Sequence, residues 1–157
     1  MKLIGIAIAA LLFLAGQATA QTDYILNGVE RLGGNPYAFL AQVRMYRERD
    51  VRVVVKDQCV SSCTLYTSLL PDGLICALPG AKFIFHRFNI LSDIKTDPEG
   101  HILSFKIDRP LVGEDFTRIW LSYPLSVRKR IIRESPQGLP RWGQELVVPA
   151  TDLVPTC

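Results

Sequence analysis

The chain is predicted to be an α/β protein, and three observations carry that prediction. The β-branched run Val51-Arg52-Val53-Val54-Val55 follows directly on a stretch with helical spacing of apolar residues. A turn of small residues containing Ser61 and Ser62 comes next and opens a second short helix. A further strand-like run, Lys82 to Phe88, lies beyond that helix. Strands alternating with helices, with one strand almost wholly β-branched, are the pattern of a buried parallel sheet covered by helices.

The start of the chain has a different character. Met1-Lys2 is followed by the apolar run Leu3 to Ala15 and then by Ala18-Thr19-Ala20, a small-x-small site, so residues 1–20 read as a secretory signal peptide cut before Gln21. An uncleaved anchor is the rival reading; the run is short against the roughly 20 residues that a membrane span requires. Residues 21–157 then form a single domain, long enough for a real core and too short for two. Loss of Lys2 takes the formal charge from +3 to +2, a balance that argues against nucleic acid as a partner. No membrane association is expected after cleavage. The basic cluster Arg128-Lys129-Arg130 with Arg133 reads as a solvated helix face, with Ile131 and Ile132 supplying the apolar side.

Taken in order, Tyr24 to Gly28 has room for one short strand. Gly33-Gly34 then permits positive φ and close backbone approach, Asn35 is a good helix N-cap, and Pro36 suits the first helical position. Phe39, Leu40, Val43 and Tyr46 repeat at helical spacing, which predicts a helix from Pro36 to Glu48. After the Val51–Val55 strand, Ser61 or Ser62 is expected to cap a helix from Cys63 to Leu70 that Pro71-Asp72-Gly73 ends. Leu74 to Leu78 and Lys82 to Phe88 read as two short strands or one bent strand. The polar stretch Ile90 to His101 reads as a mobile loop, and His101 within it as a surface residue. Asp108 is expected to cap a helix starting at Arg109-Pro110, with Leu111, Phe116, Ile119, Trp120 and Tyr123 as its apolar stripe. Pro124 interrupts it, Leu125 to Arg133 resumes as a helix, and the tail is extended around Leu146-Val147-Val148. Right-handed crossovers would bring Gly33-Gly34, Ser61 and the end of the Phe83 to His86 strand to one sheet edge, where ligand sites gather.

Acyl transfer by serine needs a hydroxyl on a sharp turn, an imidazole to take its proton, and backbone donors for the oxyanion. Ser61 and His86 are the candidates for the first two, and the backbone N–H groups of Ser62 and Gly34 for the oxyanion hole. Taken singly, Ser61 is an ordinary helix cap and His86 an ordinary strand histidine. All four cysteines lie beyond residue 20, and an even count in an exported protein implies two disulfides with three connectivities. Zinc is the rival, but Cys59-x3-Cys63 lacks a second close pair and a neighbouring histidine, so neither a metal nor any other cofactor is expected.

The segments Gln58-Cys59-Val60-Ser61-Ser62-Cys63 and Cys76-Ala77-Leu78-Pro79-Gly80-Ala81-Lys82-Phe83-Ile84-Phe85-His86 resemble the Clp protease proteolytic-subunit superfamily, which has the crotonase-type ββα spiral. The closer likeness is to exported Clp-like proteins of bacteria with a Cys-x-Ser-x-Cys turn. It extends well over Gly33 to His86 and loosely over Ser135-Pro136, Trp142 and Pro149-Ala150-Thr151-Asp152-Leu153. The resemblance implies a spiral shortened at its N-terminus, Ser61 as nucleophile, His86 as base and Gly34 at the oxyanion hole. It also implies an acid near Ile131 to Ser135, where Glu134 stands, with Asp152 as an alternative. The implied protein is a periplasmic or secreted serine hydrolase taking a peptide or ester, with a homo-oligomer as its assembly. A catalytically degenerate binding or assembly module of the same fold is the other reading. Cys59 and Cys63 flank the serine at a spacing that one helical turn bridges, leaving Cys76 for Cys157; Cys63 with Cys76 and Cys59 with Cys157 is the alternative.

Overall fold

A computed structural model describes residues 21–98 and 102–157, so the signal-peptide reading and His101 lie outside the described residues. The fold is mixed α/β, built from small sheets and short helices. Strand β1 (Thr22–Leu26) leads through a 3-10 turn (Val29–Leu32) to helix α1 (Pro36–Glu48). Asn35 caps α1 as expected: its side chain accepts the Tyr37 N–H at 2.9 Å, and Pro36 occupies the first turn. Phe39, Val43 and Tyr46 form the buried stripe of α1. Strand β2 (Val51–Val55) is buried from Val53 to Val55 and carries parallel neighbours on both sides, β1 and β4 (Ile75–Ala77). Burial on both faces is what its β-branched composition demands.

One expectation changes here. The serine turn does not leave β2: the chain passes through Lys56 and Asp57 into a separate strand, β3 (Gln58–Val60), of a second sheet. In that sheet β3 lies parallel to β5 (Lys82–Phe85), and β8 (Leu146–Pro149) is antiparallel to β5 on its other side. The chain crosses between the sheets again from β4 to β5, around Leu78 to Ala81. Between these crossings runs a long 3-10 helix, Ser61–Asp72, buried from Ser62 to Leu69 and ended by Gly73 in the left-handed region. Its N-cap is Val60, without a side-chain cap, so neither serine fills the expected capping role.

The stretch expected to be a loop is a β-hairpin, β6 (Asn89–Thr96) with β7 (Ile102–Pro110). Its alternation is masked by polar residues, because the hairpin pairs mainly with itself and has no buried face to mark. Strand β7 takes Asp108 to Pro110, so the following helix, α2 (Gly113–Ser122), begins later than expected. Ile119 and Tyr123 are buried as the stripe requires, and Phe116 and Trp120 pack against them partly. Helix α3 (Leu125–Glu134) buries Val127 and Ile131, but Ile132 is half exposed instead of facing the core.

The cysteines pair as Cys59–Cys63 and Cys76–Cys157. The second bond fastens the C-terminus beside β4, where Ala77 N–H donates to the Pro155 carbonyl at 2.9 Å and Cys157 N–H to the Ala77 carbonyl at 3.1 Å. Among the described residues no helix is long and apolar enough to cross a membrane.

Candidate active site

Ser61 follows the last residue of β3 and has φ of +56°, a left-handed conformation. A non-glycine residue there costs on the order of 1–2 kcal/mol and persists only where its surroundings enforce it. Three contacts do so. The Cys59–Cys63 bond closes the turn around Ser61. Behind it, the Thr64 hydroxyl donates to the Ser61 carbonyl at 2.5 Å and accepts from the buried Tyr123 hydroxyl at 2.5 Å. In front, Gly33 lies so close that a Cβ on it would sit 2.8 Å from both the Ser61 Cβ and the Val60 carbonyl oxygen. That approach, with φ of +94° at Gly33, explains the first glycine of the pair.

Gly34 is tied to the same turn, since the Ser62 hydroxyl donates to its carbonyl at 2.7 Å. The glycine segment is also anchored by Arg31, which ion-pairs with Asp57 at 2.7 Å where β2 passes into β3. The Ser62 and Gly34 N–H groups meet no acceptor among the described residues. The Ser61 hydroxyl makes no hydrogen bond among them and is only half-buried. The serine, the glycine pair and the two candidate oxyanion donors therefore come together.

His86 reaches this place along the neighbouring strand. Strands β3 and β5 are in parallel register with Val60 opposite Ile84, so Ser61 and His86 both emerge just past the same ends of adjacent strands, which lie about 4.8 Å apart. The ring is 4% exposed. Its Nδ1 lies 2.9 Å from the Arg87 carbonyl, which can only accept, so in the neutral ring Nδ1 carries the proton and Nε2 the lone pair. That is the tautomer a general base requires. Nε2 is buried with no hydrogen-bond partner among the described residues, the Ser61 hydroxyl included. Trp142 meets the His86 ring edge-on at 4.5 Å between centroids, and Phe105 of β7 meets Trp142 in turn at 5.8 Å.

The two acids singled out from the sequence meet a different partner. Glu134 ends α3 with its carboxylate ion-paired to Arg130, and Asp152 approaches the same guanidinium at 3.1 Å. The carboxylate that feels the charge of His86 is that of Glu145. Strands β5 and β8 pair with Phe85 opposite Leu146, and continuing that register sets Glu145 across from His86. Glu145 accepts the Gly143 N–H at 2.9 Å. Its own backbone N–H and that of Gly143 hold its carboxyl below the ordinary value of 4.5, and the charge of His86 lowers it further. The sequence signal for Glu145 is its place just ahead of the extended Leu146 to Val148 run; the partner of that run is not written locally.

The fold and this geometry define a class: a disulfide-braced α/β protein with a strained serine turn, two backbone donors beside it, and a buried imidazole on the adjoining strand. No family model matches the chain, and no curated protein or solved structure matches it either.

Proposed function

We propose that the protein is an exported Clp-like serine hydrolase acting on a peptide or an ester. The observation that carries this reading is Ser61 in a left-handed turn backed by Gly33, beside strand β5, which His86 follows. The chain order supports a shortened crotonase-type spiral, because a two-sheet strand pair, β2 with β3, is followed by a helix and by a second such pair, β4 with β5. Two disulfides support an oxidising compartment.

In this reading Ser61 Oγ attacks the substrate carbonyl while His86 Nε2 takes its proton. The developing oxyanion is met by the Ser62 and Gly34 N–H groups. The Arg87 carbonyl holds the ring tautomer, and Glu145 stabilises the imidazolium through its field, the part assigned to Glu134 from the resemblance. The test is labelling with a fluorophosphonate, in which Ser61 Oγ displaces fluoride from phosphorus. Wild type should label at some pH between about 6 and about 9, and Ser61→Ala should not. Labelling that survives Ser61→Ala, or none in wild type across that range, removes this reading.

A second reading, a non-catalytic periplasmic binding or assembly module, is favoured by one observation: buried Nε2 makes no hydrogen bond to Ser61, while Trp142 packs edge-on against the ring. It requires a label-inert protein that forms an oligomer or retains a partner. A labelled, stable monomer in sedimentation counts against it.

A further inference from the structure

Beyond the serine turn, a cleft of about 500 Å³ opens between α2, α3 and the segment around residues 136–139. That volume falls in the range of small-ligand sites. Its walls are Leu111, Val112, Phe116, Trp120, Ile132 and Leu139, and its only ionisable lining residue is Arg87. Phe116 and Trp120 stack with their planes 10° apart, giving a flat apolar wall. Val112 is 65% exposed and Ile132 50%, which leaves an apolar rim open to solvent.

Arg87 is fixed by its backbone. Its N–H donates to the Pro140 carbonyl at 2.7 Å, and its carbonyl accepts from His86 Nδ1 and the Asn89 side chain, each at 2.9 Å. Its guanidinium, in contrast, makes no ion pair and no hydrogen bond among the described residues. Arg87 as a residue is half-buried and stands on an apolar wall; with no acid lining the same cleft, its charge is open to a paired anion, which gains more there than it does in water.

We propose that this cleft binds an apolar carboxylate, its hydrocarbon or aromatic part against Phe116, Trp120 and Ile132 and its carboxylate on Arg87. A single cation suits a monoanion, and the planar guanidinium matches a carboxylate in a two-point contact. The chemistry is shared by a fatty acid and by the free C-terminus of a peptide ending in a large apolar residue. This inference is independent of catalysis at Ser61.

The test is a fluorescence titration of the full chain in a Trp142→Phe background, so that Trp120 of the cleft wall supplies the signal. Octanoate and N-acetylphenylalanine serve as the two probes, with octanol and N-acetylphenylalanine amide as their neutral counterparts. Saturable quenching by at least one of the acids, at least roughly tenfold tighter than by its neutral counterpart, is expected, since a charge-assisted pair is typically worth a factor of that order. Octanoate alone would assign a lipid ligand, N-acetylphenylalanine alone a peptide C-terminus. Arg87→Gln should abolish the preference for the acid, and Ile132→Glu, a change at a half-exposed rim position, should abolish acid binding without disturbing the core. Equal binding of acids and neutral analogues, an unchanged preference in Arg87→Gln, or no saturable binding up to about 1 mM would overturn the proposal.

Discussion

Glu145 shows how one residue's role depends on what faces it. By position in the chain it is a surface acid in a proline-rich tail, and it is indeed largely solvated. Paired register with β5 sets it opposite His86, and two backbone N–H groups hold its charge in place. Because its carboxyl is held below the ordinary value, its contribution to stability is fully present above the unfolded value of about 4.5 and is lost as pH falls through the lowered one. Glu145→Gln should therefore melt earlier than wild type at pH 7, by a margin that closes as pH is lowered toward 3; circular dichroism melts at the two pH values check this. A margin that stays constant or grows in acid would show that its carboxylate plays no such part. The Ser61 and His86 candidates were legible in sequence because both reside on short local patterns, a small-residue turn and a strand end. Glu145 was not, since its relation to His86 spans 59 positions and depends wholly on strand pairing.

At the scale of elements, the decisive contact is between the glycine segment that precedes α1 and the turn that follows β3. Local composition announced both: Gly33-Gly34 as a place of close approach, and Asn35-Pro36 as a helix start, now seen with its capping bond. Gly33→Ala should be costly on two counts, a positive φ that alanine adopts poorly and a Cβ driven into Val60 and Ser61. A loss of about 2–4 kcal/mol in urea unfolding is expected, with fluorophosphonate labelling reduced more than stability alone accounts for. Near-wild-type stability would mean the glycine segment does not press on the serine turn in solution. The β6–β7 hairpin is the element that sequence reasoning missed. Its residues Leu103, Phe105 and Ile107 alternate on one strand yet remain exposed, so no buried face distinguishes the stretch from a loop. Losing that boundary displaced the start of α2 as well.

For the whole molecule, the two disulfides act at different ranges. Cys59–Cys63 is local and shapes one turn, whereas Cys76–Cys157 closes a loop of 81 positions and joins the C-terminus to the first sheet. Constraint of so long a loop in the unfolded chain is worth about 4 kcal/mol, more than a four-residue bridge provides. Replacing both Cys76 and Cys157 by serine should lower the urea midpoint markedly while leaving Ser61 reactive, because the bond lies on the other sheet. Unchanged stability would indicate that the tail is held by its backbone bonds to Ala77 alone. The sequence by itself determined the α/β class, helix α1 with its cap, the buried strand β2 and the close approach of the Gly33-Gly34 segment to its neighbour. Those features arise from residue spacing, turn chemistry and burial over a few positions. Only the tertiary structure decided that two sheets share the strands, that β8 brings Glu145 to His86, that Arg130 gathers Glu134 and Asp152, and that Arg87 faces an apolar cleft. Each of these is a pairing between segments far apart in the chain, and such pairings are chosen by the packing of the whole core, which no local pattern encodes.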